Sequence, residues 1–432
     1  MLPVSLPIDA TLDRFALGVL GAIWILAYAA PRPLRPRWPG TPLAVIVLAF
    51  LVVAGLSVVL DLTTLSRLNE LELAIKKLSL VLSYVAFGVI TATSIRQTEI
   101  RPFLLLTLGL AAVMAIGTII EYRSGINYFY NLSRDLLVGV TVGQEPVDSE
   151  FVRPSITGPT GHGLAVAGVL AMALPFALLG IIESNRRFQR ILYGLLVVLV
   201  FAGGVATLRK TALVAPAAAL VILVAYRPRA MVRLLPLGVV VILGIHLMAP
   251  GAMGAFRFQL NGGAEESNLG RTSDYAAIIP DVLAHPIVGR GYGTYDPVYY
   301  KFGNDPQRHR FLDNQYLLLL VETGIFGLVL YLAIPLSSIA TLHRTARSSD
   351  RTRAGPAAAI IAAMAAFVVG NALFDTLAFP QMPYVAFFLL GIGTVLRGTV
   401  SSRSAQRGST ETAAVVSQGE SAPSAGSAPF GA

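Results

Sequence analysis

Eleven stretches of this sequence stay apolar for about the width of a bilayer, and a chain written that way has few places to fold. Their cores run Phe15–Ala30, Pro42–Leu60, Leu78–Ile95, Pro102–Ile120, Gly163–Ile182, Ile191–Thr207, Ala212–Tyr226, Leu234–Ala249, Asn314–Ala340, Gly355–Phe374 and Gln381–Leu396. Several have the length of about 17–25 residues that a helix needs to cross the hydrocarbon core. Only 13% of the chain is charged and 55% is hydrophobic, against about 25% charged in an ordinary soluble domain. That is too little charge to cover a soluble surface of this size. No stretch alternates like a transmembrane β-strand. The expected fold is therefore an all-α polytopic membrane protein with about eleven transmembrane helices. The first block is short and ends at Pro31, and the third is crowded at its entry by Glu70, Glu72, Lys76 and Lys77.

Basic residues in short loops set the expected orientation. Alternate gaps between the blocks carry Arg32, Arg35 and Arg37, then Arg96 and Arg101, then Arg186, Arg187 and Arg190, then Arg227, Arg229 and Arg233, then Arg344, Arg347, Arg351 and Arg353. The opposite gaps are poorer: Arg67, Lys76 and Lys77, then Arg209 and Lys210, and none between Phe374 and Gln381. The first set reads as cytoplasmic, which places the protein in the inner membrane with its N-terminus outside and its C-terminus inside. Asp9 and Asp13 before the first block and three arginines after it agree. No basic segment precedes that block, so it reads as a span and not as a cleaved signal peptide.

Two long segments then fall outside, about Glu121–His162 and Pro250–Leu312, the second lying between helices 8 and 9. The chain divides into N-terminal helices 1–4 with the first outer loop (1–160), a membrane core with the catalytic outer loop 250–312 (161–396), and a tail (397–432) whose Ser-, Ala-, Gly- and Gln-rich composition predicts disorder. The net charge of +9 is mostly loop arginine and does not point to nucleic acid. With no cysteine there is no disulfide, thiolate chemistry or cysteine metal site. The histidines and carboxylates are dispersed, so no metal constellation or cofactor site is expected.

Within the helix cores only His246 and Glu322 stand out as ionisable. A charge at the bilayer centre costs about 2.5–3.5 kcal/mol on insertion scales, and proton-coupled carriers keep such groups as relays. Their scarcity weighs against a carrier, as does the lack of paired halves with matching broken helices. The charges gather at the outer face instead. Arg209 and Lys210 occupy a very short turn, Ala-Thr-Leu-Arg-Lys-Thr-Ala, that faces outward on this topology, against the positive-inside rule. An arginine fork there suits a diphosphate; the plainer reading is a helix-end pair snorkelling to ordinary lipid phosphate. The Gly289/Gly291/Gly293 cluster lacks the spacing and the strand–turn–helix setting of a dinucleotide loop. It reads as a turn allowing close backbone approach.

Taken in order, these pieces resemble the O-antigen ligase and polymerase family of membrane glycosyltransferases. The matching residues are Arg153 to Gly163, Arg209 in Leu-Arg-Lys-Thr-Ala, Arg271, His285-Pro286-Ile287-Val288-Gly289-Arg290-Gly291-Tyr292-Gly293, Asp313-Asn314, and Leu317 through Glu322-Thr323-Gly324-Ile325-Phe326-Gly327. The resemblance covers roughly Arg153 to Gly327. It departs at Asp313, where the family usually carries a histidine that is taken to act as base. An Asp carboxylate can do that work if it reaches the acceptor hydroxyl, about 2.6–3.2 Å away, although an unperturbed Asp is a weaker base than His. The plainer reading is that Asp313 caps the helix that follows. His309 lies four residues away, off the register of the motif.

The resemblance implies transfer of a glycan from a polyprenyl-diphosphate carrier to a hydroxyl on a glycan, lipid or wall polymer, without a metal and with inversion. The expected catalytic residues are Asp313, Arg209 and Arg271, with the arginines on the diphosphate and Asp313 on the hydroxyl. Lys210, Arg153, Arg290, Glu322 and Asn314 complete the expected substrate-binding set. On a helix Glu322 lies about 13 Å inward of Asp313, too deep for the same proton, and suits a role in packing or in orienting an arginine. His162 and His285 are expected beside the site. Two other classes stay open: a non-catalytic membrane protein that binds sugar lipid, and a lipid-linked glycan flippase, which should line its spans with more charge.

Overall fold

A computed structural model describes residues 12–30, 36, 41–68, 70–136, 156–251, 254, 275, 277–295 and 312–397. Arg153, Arg271, His309, most of the outer loop 250–312 and the tail beyond residue 397 lie outside the described residues. All eleven apolar blocks form helices. In chain order the helices are α1 Leu12–Ala27, α2 Pro42–Leu60, the short α3 Leu62–Arg67, α4 Leu71–Ser94, α5 Ile100–Ser124, α6 Tyr128–Leu136, α7 Gly163–Glu183, α8 Arg187–Ala206, α9 Thr211–Tyr226, α10 Pro228–Arg233, α11 Leu235–Met248, α12 (277–284), α13 Gln315–Ala346, α14 Arg351–Asn371 and α15 Gln381–Arg397. Seven of these are long and apolar enough to cross a membrane, and α1, α9, α11 and α15 are shorter apolar helices. The protein is an all-α, multi-pass membrane protein. Helices suit that solvent because each pairs its own backbone groups where no water can.

The bundle is built around α7 and α14, whose spanning windows are 83% and 78% buried, against 22% for α2 and α4. Both centres are rich in alanine, and small side chains let helix backbones approach where lipid offers no hydrophobic drive. α9 packs on both, α8 covers α7, and α13 lies between α14 and α2. α15 closes the core through Met382, and its aromatic face meets α4 in the pairs Tyr84–Tyr384 and Phe87–Phe388. α11 rests on α8 and turns Val239, Ile242 and Leu243 outward, as a lipid-facing helix does.

The two sets of loops fall at opposite ends of the bundle. At one end Arg353 donates to Gln97 (3.2 Å), Tyr226 pairs with His343 (2.6 Å), and Glu183 lies against Gly355. At the other end meet the α3–α4 approach, the turn between α8 and α9, the turn between α14 and α15, and the described parts of the long loops. There, at the end of α5, Glu121 is buried and accepts from the backbone N–H of Thr157 (2.9 Å) and of Gly158 (2.8 Å). Asn127 adds bonds to the Thr157 hydroxyl (2.8 Å) and the Gly158 carbonyl (2.9 Å). This pins the segment that leads into α7.

Replacing that carboxylate tests the pin. Glu121→Ala strands buried N–H groups at about 1–3 kcal/mol each, so thermal unfolding in detergent should shift clearly downward, with Glu121→Gln retaining part of the loss. An unchanged melting temperature in the alanine variant would show that the segment is held by something else.

Candidate active site

The site is organised by a break in a helix. Inside α13 the backbone leaves helical geometry at Gly324 (φ 63, ψ −165). A break there frees backbone groups that must find partners. The glycine-rich loop after α12 supplies them: Arg290 N–H donates to the Val321 carbonyl (2.9 Å), Gly291 N–H to the Glu322 carbonyl (2.9 Å), and Ile325 N–H to the Pro286 carbonyl (3.0 Å). The approach is close enough to exclude side chains. A Cβ on Gly289 (φ 75) would lie 2.3 Å from the Glu322 carbonyl carbon, and one on Gly324 would lie 2.4 Å from Ile287. Two pieces of sequence about thirty residues apart thus form one backbone stitch.

Charges lock the stitch to α4. The Glu322 side chain is buried; its Oε1 accepts from Tyr295 N–H (3.1 Å) and faces Lys77 Nζ at 3.6 Å. Lys77 Nζ also donates to the Tyr295 carbonyl (3.3 Å). Arg290 forks onto Glu70 at 2.8 and 3.0 Å, with both side chains mostly buried. Tyr292 N–H donates to Ser57 Oγ (2.9 Å), and burial, then the nearby Glu322 charge, push its phenol well above its ordinary range, so it stays neutral. Glu322 and Arg290, expected on substrate, are thus found holding the loop, and Glu322 orients a lysine where an arginine was anticipated.

Asp313 stands at the head of α13, with its side chain exposed. It is not the cap. Asn314 Oδ1 accepts from Tyr316 N–H (3.0 Å) and Leu317 N–H (3.3 Å), so the capping role falls to Asn314. Facing this end is the turn between α14 and α15, which carries Asp375. Buried polar groups set that turn: Gln315 Oε1 accepts from Leu377 N–H (2.9 Å), Tyr84 donates to the Leu377 carbonyl (3.0 Å), and Asn371 Oδ1 accepts from Tyr331 (2.8 Å) and from the Thr376 hydroxyl. Burial pushes the Asp375 carboxyl up to about 7; its backbone hydrogen bond and Lys77 pull it down, while Asp313 and Glu322 push it further up. Three carboxyl groups and a lysine therefore share one electrostatic neighbourhood.

Arg209 lies at the other side of that turn. Leu208 takes a left-handed conformation (φ 55), which turns the chain sharply between α8 and α9 and leaves Arg209 and Lys210 half-buried. Burial and the Arg209 guanidinium together push His162 down to about 4, so this histidine is neutral at physiological pH. Its Nδ1 accepts from Leu164 N–H (3.3 Å) as the cap of α7, and its ring lies against Phe379 (centroids 4.8 Å apart). Phe379 belongs to the turn that carries Asp375, so one nine-residue connection, 372–380, touches both the carboxyl pair and the arginine corner. Among the described residues no group of three His, Cys, Asp or Glu could hold a metal ion.

Residues 195–332 match the family model described as O-antigen ligase. That stretch, 138 of the chain's 432 residues, is similar to the O-antigen ligase family. It runs from α8 to the middle of α13 and contains Arg209, Lys210, the glycine loop, Asp313 and Glu322. No curated protein matches the chain. Lys77, His162 and Asp375 lie outside the matched stretch and are brought to it by the fold. In the sequence Lys77 is one of several charges at the entry of its block, and Asp375 stands in a short connection without basic residues. The signal that finds Asp375 is a lone carboxylate in an apolar turn on the same side as Asp313.

Two measurements follow. Gly289→Ala forces a Cβ into the Glu322 backbone at a positive φ, which costs on the order of 1–3 kcal/mol from backbone strain alone; it should lower the melting temperature and speed proteolysis of the loop, while Gly18→Ala, with nothing within 4 Å, should not. For Asp375 the raised value means that the folded state holds a proton that the unfolded chain has released. Its contribution is full below the ordinary carboxylate range and is lost as pH rises to about 7. Wild-type melting temperature should fall across that window more steeply than that of Asp375→Asn; parallel profiles would contradict the assignment.

Proposed function

We propose that the protein transfers a glycan from a polyprenyl-diphosphate carrier to a hydroxyl acceptor, at the outer face of the cytoplasmic membrane, as a ligase or polymerase of surface or cell-wall polysaccharide. The observation that carries this reading is the meeting of Asp313 and Asp375 at one end of the bundle, with Lys77 beside them and the Arg209 corner across the same turn. On this reading the acceptor hydroxyl gives its proton to Asp313. Asp375 stands near it as a second carboxyl, pushed up to about 7 chiefly by burial. The acceptor oxygen attacks the anomeric carbon from the face opposite the leaving diphosphate, and the configuration inverts.

Arg209 and Arg271, with Lys210 and Arg153, hold the diphosphate and stabilise the charge that grows on it as it departs. No metal is needed for that step in this scheme. Arg290, Glu322 and Asn314 serve by placement: the first two hold the loop against the kink, and the third fixes the start of α13 beneath Asp313. The site-bearing end of the bundle is the outer one, since the opposite end gathers the arginine-rich loops.

The decisive experiment uses a deletion strain complemented at matched expression with wild type, Asp313→Ala or Asp375→Asn. The lipid-linked glycan pool is then quantified. Accumulation in the Asp313→Ala strain as in the deletion is expected, with a partial and pH-sensitive defect for Asp375→Asn. Clearance by Asp313→Ala as by wild type would mean that the base lies elsewhere or that the protein only binds sugar lipid.

A further inference from the structure

The helix that delivers the glycine loop is built inside out. α12 (277–284) lies outside the transmembrane helices, where the exposed face of a helix ordinarily carries polar residues. Here Tyr275, Ile279 and Leu283 recur every fourth residue and are all exposed, Leu283 at 72%, and Ile287 in the following turn continues the stripe. The charged Asp281 is the half-buried one. The opposite face is also apolar, but it is accounted for: Ile278 and Val282 pack against Leu312, Leu318 and Val321. α12 therefore has two apolar faces and, among the described residues, protein packed on only one of them.

The second face has a neighbour. Ile325 N–H bonds to the Pro286 carbonyl (3.0 Å), and Gly324 is in contact with the Ile287 backbone. The stitch thus sets Ile287 beside Ile325 and Phe326, which are exposed on α13 as lipid-facing side chains of a span are. The exposed apolar stripe of α12 thus ends beside exposed apolar side chains of the span α13. We propose that α12 is an interfacial helix whose Tyr275–Ile279–Leu283–Ile287 face is immersed in the membrane leaflet on the site's side. Helices of this kind lie in the plane of the interface with the apolar face sunk about 5–10 Å. α12 then forms the wall between the bilayer and the Leu312–Asp313 corner, and its depth sets the height of Asp313 at the headgroup level. The inference stands whether or not the glycosyl-transfer reading does.

The natural absence of cysteine allows a direct test in the full chain reconstituted in bilayers. Nitroxide is attached to Ile279→Cys and Leu283→Cys, with Ile242→Cys on the outward face of α11 as the lipid reference and Glu72→Cys as the water reference. Collision rates with oxygen, which concentrates in lipid, and with a water-soluble nickel chelate are compared. Labels on α12 should give oxygen-to-nickel ratios several-fold above the Glu72 label and approaching the Ile242 label. A ratio at the water reference would overturn the proposal in favour of a solvent-exposed face. Low collision with both reagents would overturn it in favour of a covering protein segment or a second copy of the chain.

Discussion

A helix that breaks at Gly324 must have its freed backbone carbonyls answered, and the architecture of the site follows from how that is done. In water the break would cost little. In an apolar bundle each unpaired carbonyl or N–H is expensive, so the glycine loop is drawn into the gap and held there by three backbone bonds. Once docked, the loop brings Tyr295 to Glu322, and Glu322 brings Lys77. The Glu-Thr-Gly and Gly-Arg-Gly pieces are thus two halves of one joint, and the glycines are there because a Cβ on either side would fill the space that the other backbone occupies.

Charge at this end of the bundle is arranged so that little of it is left unbalanced. Glu322 is offset by Lys77, and Glu70 by Arg290. Asp375 is the exception. Burial first, and then the neighbouring Asp313 and Glu322 carboxylates, push its carboxyl up to about 7, in a turn fixed from below by Gln315, Asn371 and Tyr84. A turn fixed that firmly cannot move its carboxyl out to water to relieve the repulsion. That is the physical route by which an ordinary aspartate becomes a group that can exchange protons at physiological pH.

Most of the fold was legible in the order of the residues. Every apolar block became a helix, including the short first block and the third with its crowded entry, because span length and apolarity are local properties that lipid reads directly. The glycine cluster was legible as a close approach, though not what it approaches. At Asp313 the sequence left open a capping role, which the structure gives to Asn314. Lys77 and Asp375 lie hundreds of residues apart in the chain, and no local pattern links them to Asp313 or to each other.

The sequence by itself determined the solvent, the helices and the ends of the bundle at which charge collects. Each depends on composition within a window of about twenty residues. Only the tertiary structure decided which charges face one another. Lys77 meets Glu322 because the N-terminal parts of α4 and α13 come together around one loop, and Asp375 reaches the neighbourhood of Asp313 because buried hydrogen bonds fold the 372–380 turn over the head of α13. Those meetings are set by packing between distant segments, and a pKa is a property of the meeting.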